Sequence, residues 1–195
     1  MWSEAQKHEA LYWGDGKGRT AWHEFCKQEA YMEHMLIKQD YDVDGELCLN
    51  VDKVLDIGGG PVSMLLRCIG PSTLTVVDPL PLSGPAIRRY RNYGIEYRQE
   101  KGGDFRLPQY DEVWMYNVLQ HVDNPKQVLL NAIKHTRGCF RIFEWLNVPI
   151  DVMHVHKITA PLILDTISDL VTINYINMPV VENTQAFVGI FEPRT

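Results

Sequence analysis

The feature that most constrains the fold is a short apolar run that leads directly into three consecutive glycines. VLDI (54–57) has the composition of a buried strand, and GGGP (58–61) follows it without a spacer. Glycine has no Cβ and accepts positive φ, so such a turn lets a ligand approach the backbone closely. The pattern predicts a strand, a glycine loop and then a helix that holds a nucleotide-like ligand. A purely structural turn is the alternative.

From Lys53 onward, short β-branched or aromatic runs alternate with longer periodic segments, which is typical of βαβ units. VTINYINMP (171–179) and AFVGIFE (186–192) are too close in sequence for a crossover helix, so they should form an antiparallel hairpin. The sequence therefore predicts an α/β, Rossmann-like fold with a seven-stranded, mostly parallel sheet that ends in a C-terminal antiparallel hairpin. The other five strands are predicted at KVLDI (53–57), TLTVVD (73–78), IEYRQ (95–99), DEVWMYN (111–117) and CFRIFEW (139–145).

Helix signals lie between these strands and before them. Pro61 and Asn124-Pro125 place a proline in the first turn of a helix, and Thr159 is a cap residue for a helix that reaches Asp169. Amphipathic stretches near the N-terminus, around 3–12 and 20–38, predict helical additions. No linker or repeat divides the chain, so we expect residues 1–195 to form a single domain, with 1–50 as a helical cap and 51–195 as the core.

The composition excludes several classes of partner. The 195 residues carry a net charge of −6, which argues against a broad basic surface for nucleic acid or anionic lipid. No apolar stretch reaches the roughly 20 residues of a bilayer span, and the N-terminus is too charged for a signal peptide. We therefore expect a cytoplasmic protein without a membrane partner. The cysteines lack the paired spacing of zinc sites and are expected to be reduced thiols: Cys26, Cys48, Cys68 and Cys139.

Two more acidic residues follow predicted strands. Asp78, in VVDPL after the second strand, could accept both hydroxyls of a ribose, although an Asp before Pro79 is also a common turn former. GGDF (102–105) follows the third strand, where its carboxylate could accept a hydrogen bond from adenine N6 and its aromatic ring could pack on the base. A plain Gly-Asp turn is the alternative there.

The neighbours of the glycines distinguish between two adenosine-containing cofactors. Gly58, Gly60 and Ser63 approximate the GxGxxG spacing of dinucleotide sites. However, Pro61 lacks the N–H that a pyrophosphate would use, and Asp56 would place a carboxylate near that anionic group. The same carboxylate suits the ammonium of S-adenosylmethionine. An NAD-dependent oxidoreductase is the weaker alternative.

Together these residues resemble the class I S-adenosylmethionine-dependent methyltransferases, particularly their small-molecule branch. The resemblance covers about residues 53–146: VLDIGGG is similar to the first motif, VVDP to the acid after the second strand, and GDFRLPQYDEVWMYNVLQHVDNP to the run from the adenine-binding acid through the fourth strand. It departs at Val62, where many relatives have glycine. The resemblance implies S-adenosylmethionine as cofactor, S-adenosylhomocysteine as product, and this binding set: Asp56, Gly58, Gly59, Gly60, Asp78, Pro79, Gly103, Asp104, Phe105, Asn117 and Val118.

Candidate residues for the acceptor side follow the fourth and fifth strands. His121 would lie beside the methyl group in this fold and is the candidate general base, with structural packing beneath the cofactor as its alternative. His154 and His156 lie on one side of an extended segment and are candidate substrate contacts or bases. A metal site that these two histidines form with Asp151 is a weaker hypothesis, so we expect no metal. Glu144 could also face the acceptor.

The segment YWGDGKGR (12–19) resembles a glycine-punctuated hinge between two predicted helices. We predict that it forms a lid over the cofactor, with Trp13, Arg19 and Trp22 near the acceptor. A plain helix–helix loop is the alternative.

Methyl transfer from a sulfonium is an in-line displacement that needs mainly positioning, so no elaborate catalytic motif is required. The fourth strand lacks the Asn/Asp-Pro-Pro-aromatic motif of amino-directed base methylases, which places a small-molecule acceptor ahead of nucleic acid. A protein acceptor stays open. A second class of hypothesis is a protein that binds S-adenosylmethionine without transferring the methyl: a sensor, a regulatory partner or an enzyme that degrades the cofactor.

Overall fold

A sheet of mostly parallel strands forms the centre of the computed structural model, which describes residues 2–14, 21–37, 40–41, 46–181 and 183–194. The strands are β1 (Asp40–Tyr41), β2 (Leu47–Cys48), β3 (Lys53–Ile57), β4 (Cys68–Ile69), β5 (Thr73–Val77), β6 (Ile95–Arg98), β7 (Tyr110–Tyr116), β8 (Thr136–Trp145), β9 (Val171–Asn177), β10 (Val180–Val181) and β11 (Thr184–Pro193). The helices are α1 (Trp2–Gly14), α2 (Ala21–His34), α3 (Gly84–Asn92), α4 (Pro125–His135) and α5 (Ala160–Ile167), with short 3-10 helices at Met64–Arg67 and Leu119–His121.

The strand order in the main sheet is β6-β5-β3-β7-β8-β11, with β9 and β10 paired to β11. The pairs from β6 through β8 are parallel, whereas β11 runs antiparallel to β8 and to β9. The predicted Rossmann-like sheet with its C-terminal hairpin is therefore confirmed, and the two-residue β10 is an addition to the seven predicted strands.

The prediction of a helix directly after the glycine loop is wrong. Pro61 lies in a turn, and only the four-residue 3-10 helix Met64–Arg67 follows it. The chain then enters β4, which pairs in parallel with β2, and it turns at Gly70 with φ of 109°. Because β4 and this turn occupy the connection, too little chain remains before β5 for an α-helix.

The other helix signals are confirmed by their caps. The side chain of Asn124 accepts a hydrogen bond from the backbone N–H of Gln127 at the start of α4. Thr159 accepts one from Leu162 at the start of α5, although this helix ends at Ile167 and not at Asp169. Each cap satisfies a backbone donor that would otherwise have no partner in the first turn.

Hydrophobic side chains cover both faces of the sheet. Because side chains alternate along a strand, Leu55 and Ile57 pack on the face covered by α4 and α5, whereas Val54 packs on the face covered by α2 and Met64–Arg67. Phe143, on β8, belongs to this second face. A sheet covered on both sides leaves its carboxyl edge as the place where loops from several strands can meet.

The faces of the hairpin can be tested by stability. Phe187 on β11 is fully buried, whereas the Ile173 side chain on β9 is 47% exposed. We expect Phe187→Ala to lower the free energy of unfolding by about 3–5 kcal/mol, because it leaves a cavity in the core. Ile173→Ala should cost about 1 kcal/mol or less. Urea denaturation measures both, and equal losses would contradict this register.

Candidate active site

A cavity of about 360 Å³ opens at the carboxyl edge of the parallel strands. Loops that follow β3, β5, β6 and β7 form one side of it, and α1 with the segment after β8 forms the other. Its lining comprises Gly58–Gly60, Val77–Leu80, Lys101, Gly102, Tyr116–Val118 and His121–Asp123, together with Ile57, Tyr31, Met153, His154 and the α1 residues Trp2, Gln6, Glu9 and Tyr12.

The cavity brings together many of the residues singled out from the sequence. Those in its lining are Gly58, Gly59, Gly60, Asp78, Pro79, Asn117, Val118, His121 and His154. Those that do not line it are Asp56, Gly103, Asp104, Phe105, Glu144 and His156. Arg19 lies outside the described residues, as do the side chains of Trp13 and Trp22.

The glycine loop is held close to the loop that follows β7. Gly58 has φ of 83°, and a Cβ there would lie 2.4 Å from Cγ2 of Val118. Such a distance is well inside van der Waals contact, and positive φ disfavours other residues, so both space and conformation require glycine. Gly60 also has positive φ, of 55°.

Asp78 connects the glycine loop to the end of β5. Its Oδ2 accepts a hydrogen bond of 3.0 Å from the backbone N–H of Gly60, and its Oδ1 accepts one of 2.8 Å from Leu80. Burial raises the pKa of Asp78 to about 6, although these two hydrogen bonds oppose the shift. Each carboxylate oxygen keeps a second lone pair, so this carboxylate can still accept hydrogen bonds from a ligand in the cavity.

Asp56 lies behind the glycine loop and not in the cavity. It is fully buried, and both the Ser63 and the Tyr116 hydroxyls donate to its Oδ2. Burial raises its pKa to about 7. The Tyr90 hydroxyl continues this network, because it accepts from the N–H of Ser63 at 3.0 Å and donates to the oxygen of Gly60 at 2.7 Å. Asp56 therefore anchors the loop and does not face a ligand.

The residues predicted to read adenine lie outside the cavity for two different reasons. Phe105 is buried against His135, with the ring centroids 4.6 Å apart. Asp104 is exposed, and its N–H donates to the oxygen of Lys101 in a turn. This turn presents Lys101 and Gly102 to the cavity, and not the two residues that follow.

Glu144 shapes the loop that follows β7. It is fully buried on β8, and its Oε1 accepts hydrogen bonds from the backbone N–H groups of Val118 at 2.8 Å and Leu119 at 3.0 Å. Burial raises its pKa to about 7. Nearby, Asn117 adopts a φ of 57°, and its Oδ1 accepts from the Gln120 side chain at 2.5 Å. Glu144 therefore positions this loop from behind.

Two histidines face the cavity, each with a carboxylate partner. Nδ1 of His121 lies 2.8 Å from Oε1 of Glu9, and Nδ1 of His154 lies 2.9 Å from Oδ2 of Asp151. Burial lowers the pKa of His121, but Glu9, Glu144 and the backbone oxygen of Met153 together raise the pKa above its ordinary value. Hydrogen bonds, above all from the N–H of His154, lower the pKa of Asp151 to about 2.

His156 lies apart from this pair. Its Nε2 lies 3.2 Å from the backbone oxygen of Asp123, at an exposed position. Among the described residues, no group of three metal-ligating side chains is close enough to hold an ion. Nor is any helix in the described part of the chain long and apolar enough to span a membrane.

Sequence reasoning did not single out the residues that α1 contributes to the cavity. Trp2, Gln6 and Glu9 follow the helical period and all face the cavity. The indole of Trp2 donates to the backbone oxygen of His121 at 3.0 Å, and Gln6 donates to the same atom at 3.4 Å. Lys101 lies 4.1 Å from the centroid of the Trp2 ring. The period of α1 was visible in the sequence, but nothing there indicated which loop it packs on.

Comparisons with known proteins give structural relatives only. No protein family and no curated sequence matches the chain. The N-methyltransferase NodS from Bradyrhizobium japonicum, in complex with S-adenosylhomocysteine, aligns over 100% of this chain and 99% of its own, with 14% identity and a TM-score of 0.67. Magnesium protoporphyrin IX methyltransferase from Synechocystis, with bound S-adenosylmethionine, covers 93% of this chain and 88% of its own, with 12% identity and a TM-score of 0.64.

A cyclase, SpnF, also aligns over 93% of this chain and 85% of its own, with 10% identity and a TM-score of 0.67. At such identities the likeness concerns the fold. The same fold therefore carries more than one chemistry, and the residues of the site determine which reaction takes place.

The raised pKa values of two buried carboxyls, Asp56 and Glu144, predict an unusual dependence of stability on pH. A raised pKa means that the folded chain binds the proton more tightly than the unfolded chain, so the free energy of unfolding should fall as pH rises from about 4 to about 7. Each such carboxyl contributes at most about 1.4 kcal/mol per pH unit. Glu144→Gln should make this slope shallower, as measured by urea denaturation between pH 4 and 8.

The matched control is Glu192→Gln, which changes an exposed carboxylate on β11. We expect it to keep the slope of the unchanged protein. A Glu144→Gln variant with that same slope would contradict the burial argument.

Proposed function

We propose that this chain, which has the fold of class I S-adenosylmethionine-dependent methyltransferases, binds S-adenosylmethionine in the cavity and transfers its methyl group to a small-molecule acceptor. The observation that carries the proposal is the convergence of Gly58–Gly60, Asp78 and Asn117 on one cavity. These residues come from three different loops. Each was assigned to the cofactor from its sequence motif.

The residues present fit the cofactor. The loop of Gly58–Gly60 offers backbone to the cavity without side chains, which suits the methionine part of the ligand. Asp78 has carboxylate lone pairs left for two ribose hydroxyls. Leu80 and Gly102 also line the cavity, and we assign them to the adenine. When bound, S-adenosylmethionine supplies an electrophilic methyl on a sulfonium.

A dinucleotide fits this site less well. NAD-binding folds place the pyrophosphate at the N-terminus of an α-helix, where free N–H groups and the helix dipole attract it. The glycine loop here leads only to Met64–Arg67, a 3-10 helix of four residues. The carboxyl of Asp56 is buried behind the loop and does not line the cavity, so its charge does not distinguish the two cofactors.

A small acceptor fits the enclosure of the cavity. Trp2, Gln6 and Glu9 of α1 close one side, and the segment with Met153 and His154 closes the next. The net charge of −6 also disfavours a nucleic-acid acceptor.

Asp78 provides the sharpest test of the cofactor assignment. We expect calorimetric titration to show binding of S-adenosylmethionine and S-adenosylhomocysteine, and no binding of NAD. Asp78→Asn should weaken S-adenosylhomocysteine about 10- to 100-fold, because charge-assisted hydrogen bonds to the ribose are lost.

Asp104→Asn is the matched control, since this carboxylate is exposed and outside the cavity. It should leave the affinity unchanged. If neither adenosyl ligand binds to folded protein, the proposed function is wrong. If Asp78→Asn and Asp104→Asn lose affinity for S-adenosylhomocysteine equally, the ribose does not bind at Asp78.

A second measurement separates methyl transfer from binding alone. Labelled methyl donor is incubated with the protein, with and without a mixture of small-molecule acceptors. Label transferred to an added acceptor supports a methyltransferase. Breakdown of the donor without acceptor would support a cofactor-degrading enzyme, and tight binding without turnover of either kind would support a sensor.

A further inference from the structure

Part of the cavity lining is not assigned to the cofactor. The cofactor takes the glycine loop, Asp78, Asn117 and the two residues given to the adenine, Leu80 and Gly102. The rest of the lining comes from α1, from Tyr31 of α2, and from the segments at the ends of β6, β7 and β8. This remainder, the acceptor side, is where the group that receives the methyl has to bind.

The charged and imidazole side chains of the acceptor side lie in pairs. These pairs are Lys101 with Asp123, Glu9 with His121, and His154 with Asp151. The nitrogen and the oxygen of each pair are 2.8, 2.8 and 2.9 Å apart, in that order. A polar ligand would have to compete with these contacts, so a molecule rich in hydroxyl groups gains little here.

Two tyrosines of the acceptor side direct their hydroxyl groups away from the cavity. The Tyr31 hydroxyl accepts a hydrogen bond of 3.3 Å from the indole N–H of Trp145. The Tyr116 hydroxyl donates to the carboxylate of Asp56. Neither Trp145 nor Asp56 lines the cavity. The two tyrosines therefore present ring surface to a ligand.

Packing holds the Tyr31 ring in place. It stacks on Phe143, which does not line the cavity, with the ring centroids 4.5 Å apart and an angle of 28° between the planes. Tyr116 is its neighbour within the lining, with the centroids 6.2 Å apart and an angle of 41°. Both tyrosines are buried. The two tilted rings thus form a preorganised apolar surface in the cavity wall.

Further aromatic and thioether surface extends from this wall toward solvent. The Trp2 ring lines the cavity while its indole N–H donates to the backbone oxygen of His121 at 3.0 Å. Met153 is half-buried in the lining. Tyr12 also lines the cavity and is 42% exposed, so it lies where the cavity meets solvent.

We propose that the acceptor is a small molecule with an aromatic ring, which binds against Tyr31 and Tyr116, and that Tyr31 determines this specificity. The inference rests on the proposed function and names the substrate class of the same cavity. Aromatic rings attract one another in tilted or offset arrangements beyond the gain from burial, and a thioether also favours an aromatic neighbour.

Two other acceptor classes fit this surface less well. A saturated ring gains from burial but lacks the electrostatic attraction between aromatic rings. A sugar would lose its hydrogen bonds to water on a surface of ring carbons, which costs free energy unless partners replace them. The paired side chains of the acceptor side already use such partners.

The proposal can be tested with two probes of the same skeleton, 2-naphthol and its saturated analogue decahydro-2-naphthol. Calorimetric titration is carried out in the presence of saturating S-adenosylhomocysteine, so that the cofactor part of the cavity is filled. Both probes carry one hydroxyl group and ten carbons, and they differ in aromaticity. We expect 2-naphthol to bind at least about tenfold more tightly.

Variants of Tyr31 connect this preference to the proposed surface. Tyr31→Leu should abolish the preference, whereas Tyr31→Phe should keep it, because the ring remains and the hydroxyl lies outside the cavity. Tyr93→Leu is the matched control, since this tyrosine is exposed and does not line the cavity. It should keep the preference as well.

Because Tyr31 is buried, a second variant at an exposed position tests the same surface without opening the core. Tyr12→Leu should reduce the preference about threefold. Circular dichroism and the affinity for S-adenosylhomocysteine verify that each variant is folded.

Equal binding of the two probes, tighter binding of decahydro-2-naphthol, or no binding of 2-naphthol would overturn the inference. A folded Tyr31→Leu or Tyr12→Leu variant with the full preference would overturn it too. The proposed function fails separately. Binding of S-adenosylhomocysteine without a preference for 2-naphthol would leave the methyltransferase and remove the aromatic acceptor. If S-adenosylhomocysteine does not bind but the same preference for 2-naphthol is measured, the aromatic site remains and the methyltransferase is wrong.

Discussion

The close approach of Gly58 to Val118 is the contact on which the rest of the site depends. It joins the loop after β3 to the loop after β7, and it leaves no room for a side chain at Gly58. Because β3 and β7 are parallel neighbours, both loops emerge at the same edge of the sheet. Their contact forms one wall of the cavity and leaves backbone atoms exposed to a ligand.

Buried carboxyls hold these loops from behind. Glu144 accepts hydrogen bonds from the backbone N–H groups of Val118 and Leu119. Asp56 accepts hydrogen bonds from the hydroxyls of Ser63 and Tyr116 beneath the glycine loop. A buried carboxyl costs free energy unless it is hydrogen-bonded or protonated, which is why their pKa values rise toward neutrality. Loop geometry at the cavity is therefore tied to the protonation of groups that a ligand does not touch.

The N-terminal helix completes the cavity by polar contacts. Trp2 and Gln6 bind the backbone oxygen of His121, and Glu9 binds its ring. The helix thereby orients an imidazole that the loop after β7 supplies. Since His154 comes from yet another loop, the histidine pair exists only when three separate parts of the chain are assembled.

Local patterns in the sequence determined the strands, the hairpin, the caps of α4 and α5, and the glycine loop with Asp78. Each of these depends on alternation, spacing or backbone conformation within a few neighbouring residues. Tertiary structure decided what such patterns do not contain: that β4 replaces a helix after the loop, that Phe105 turns into the core, and that α1 packs on His121. The physical reason is that burial and side-chain partners depend on contacts between residues far apart in sequence, such as Glu9 with His121.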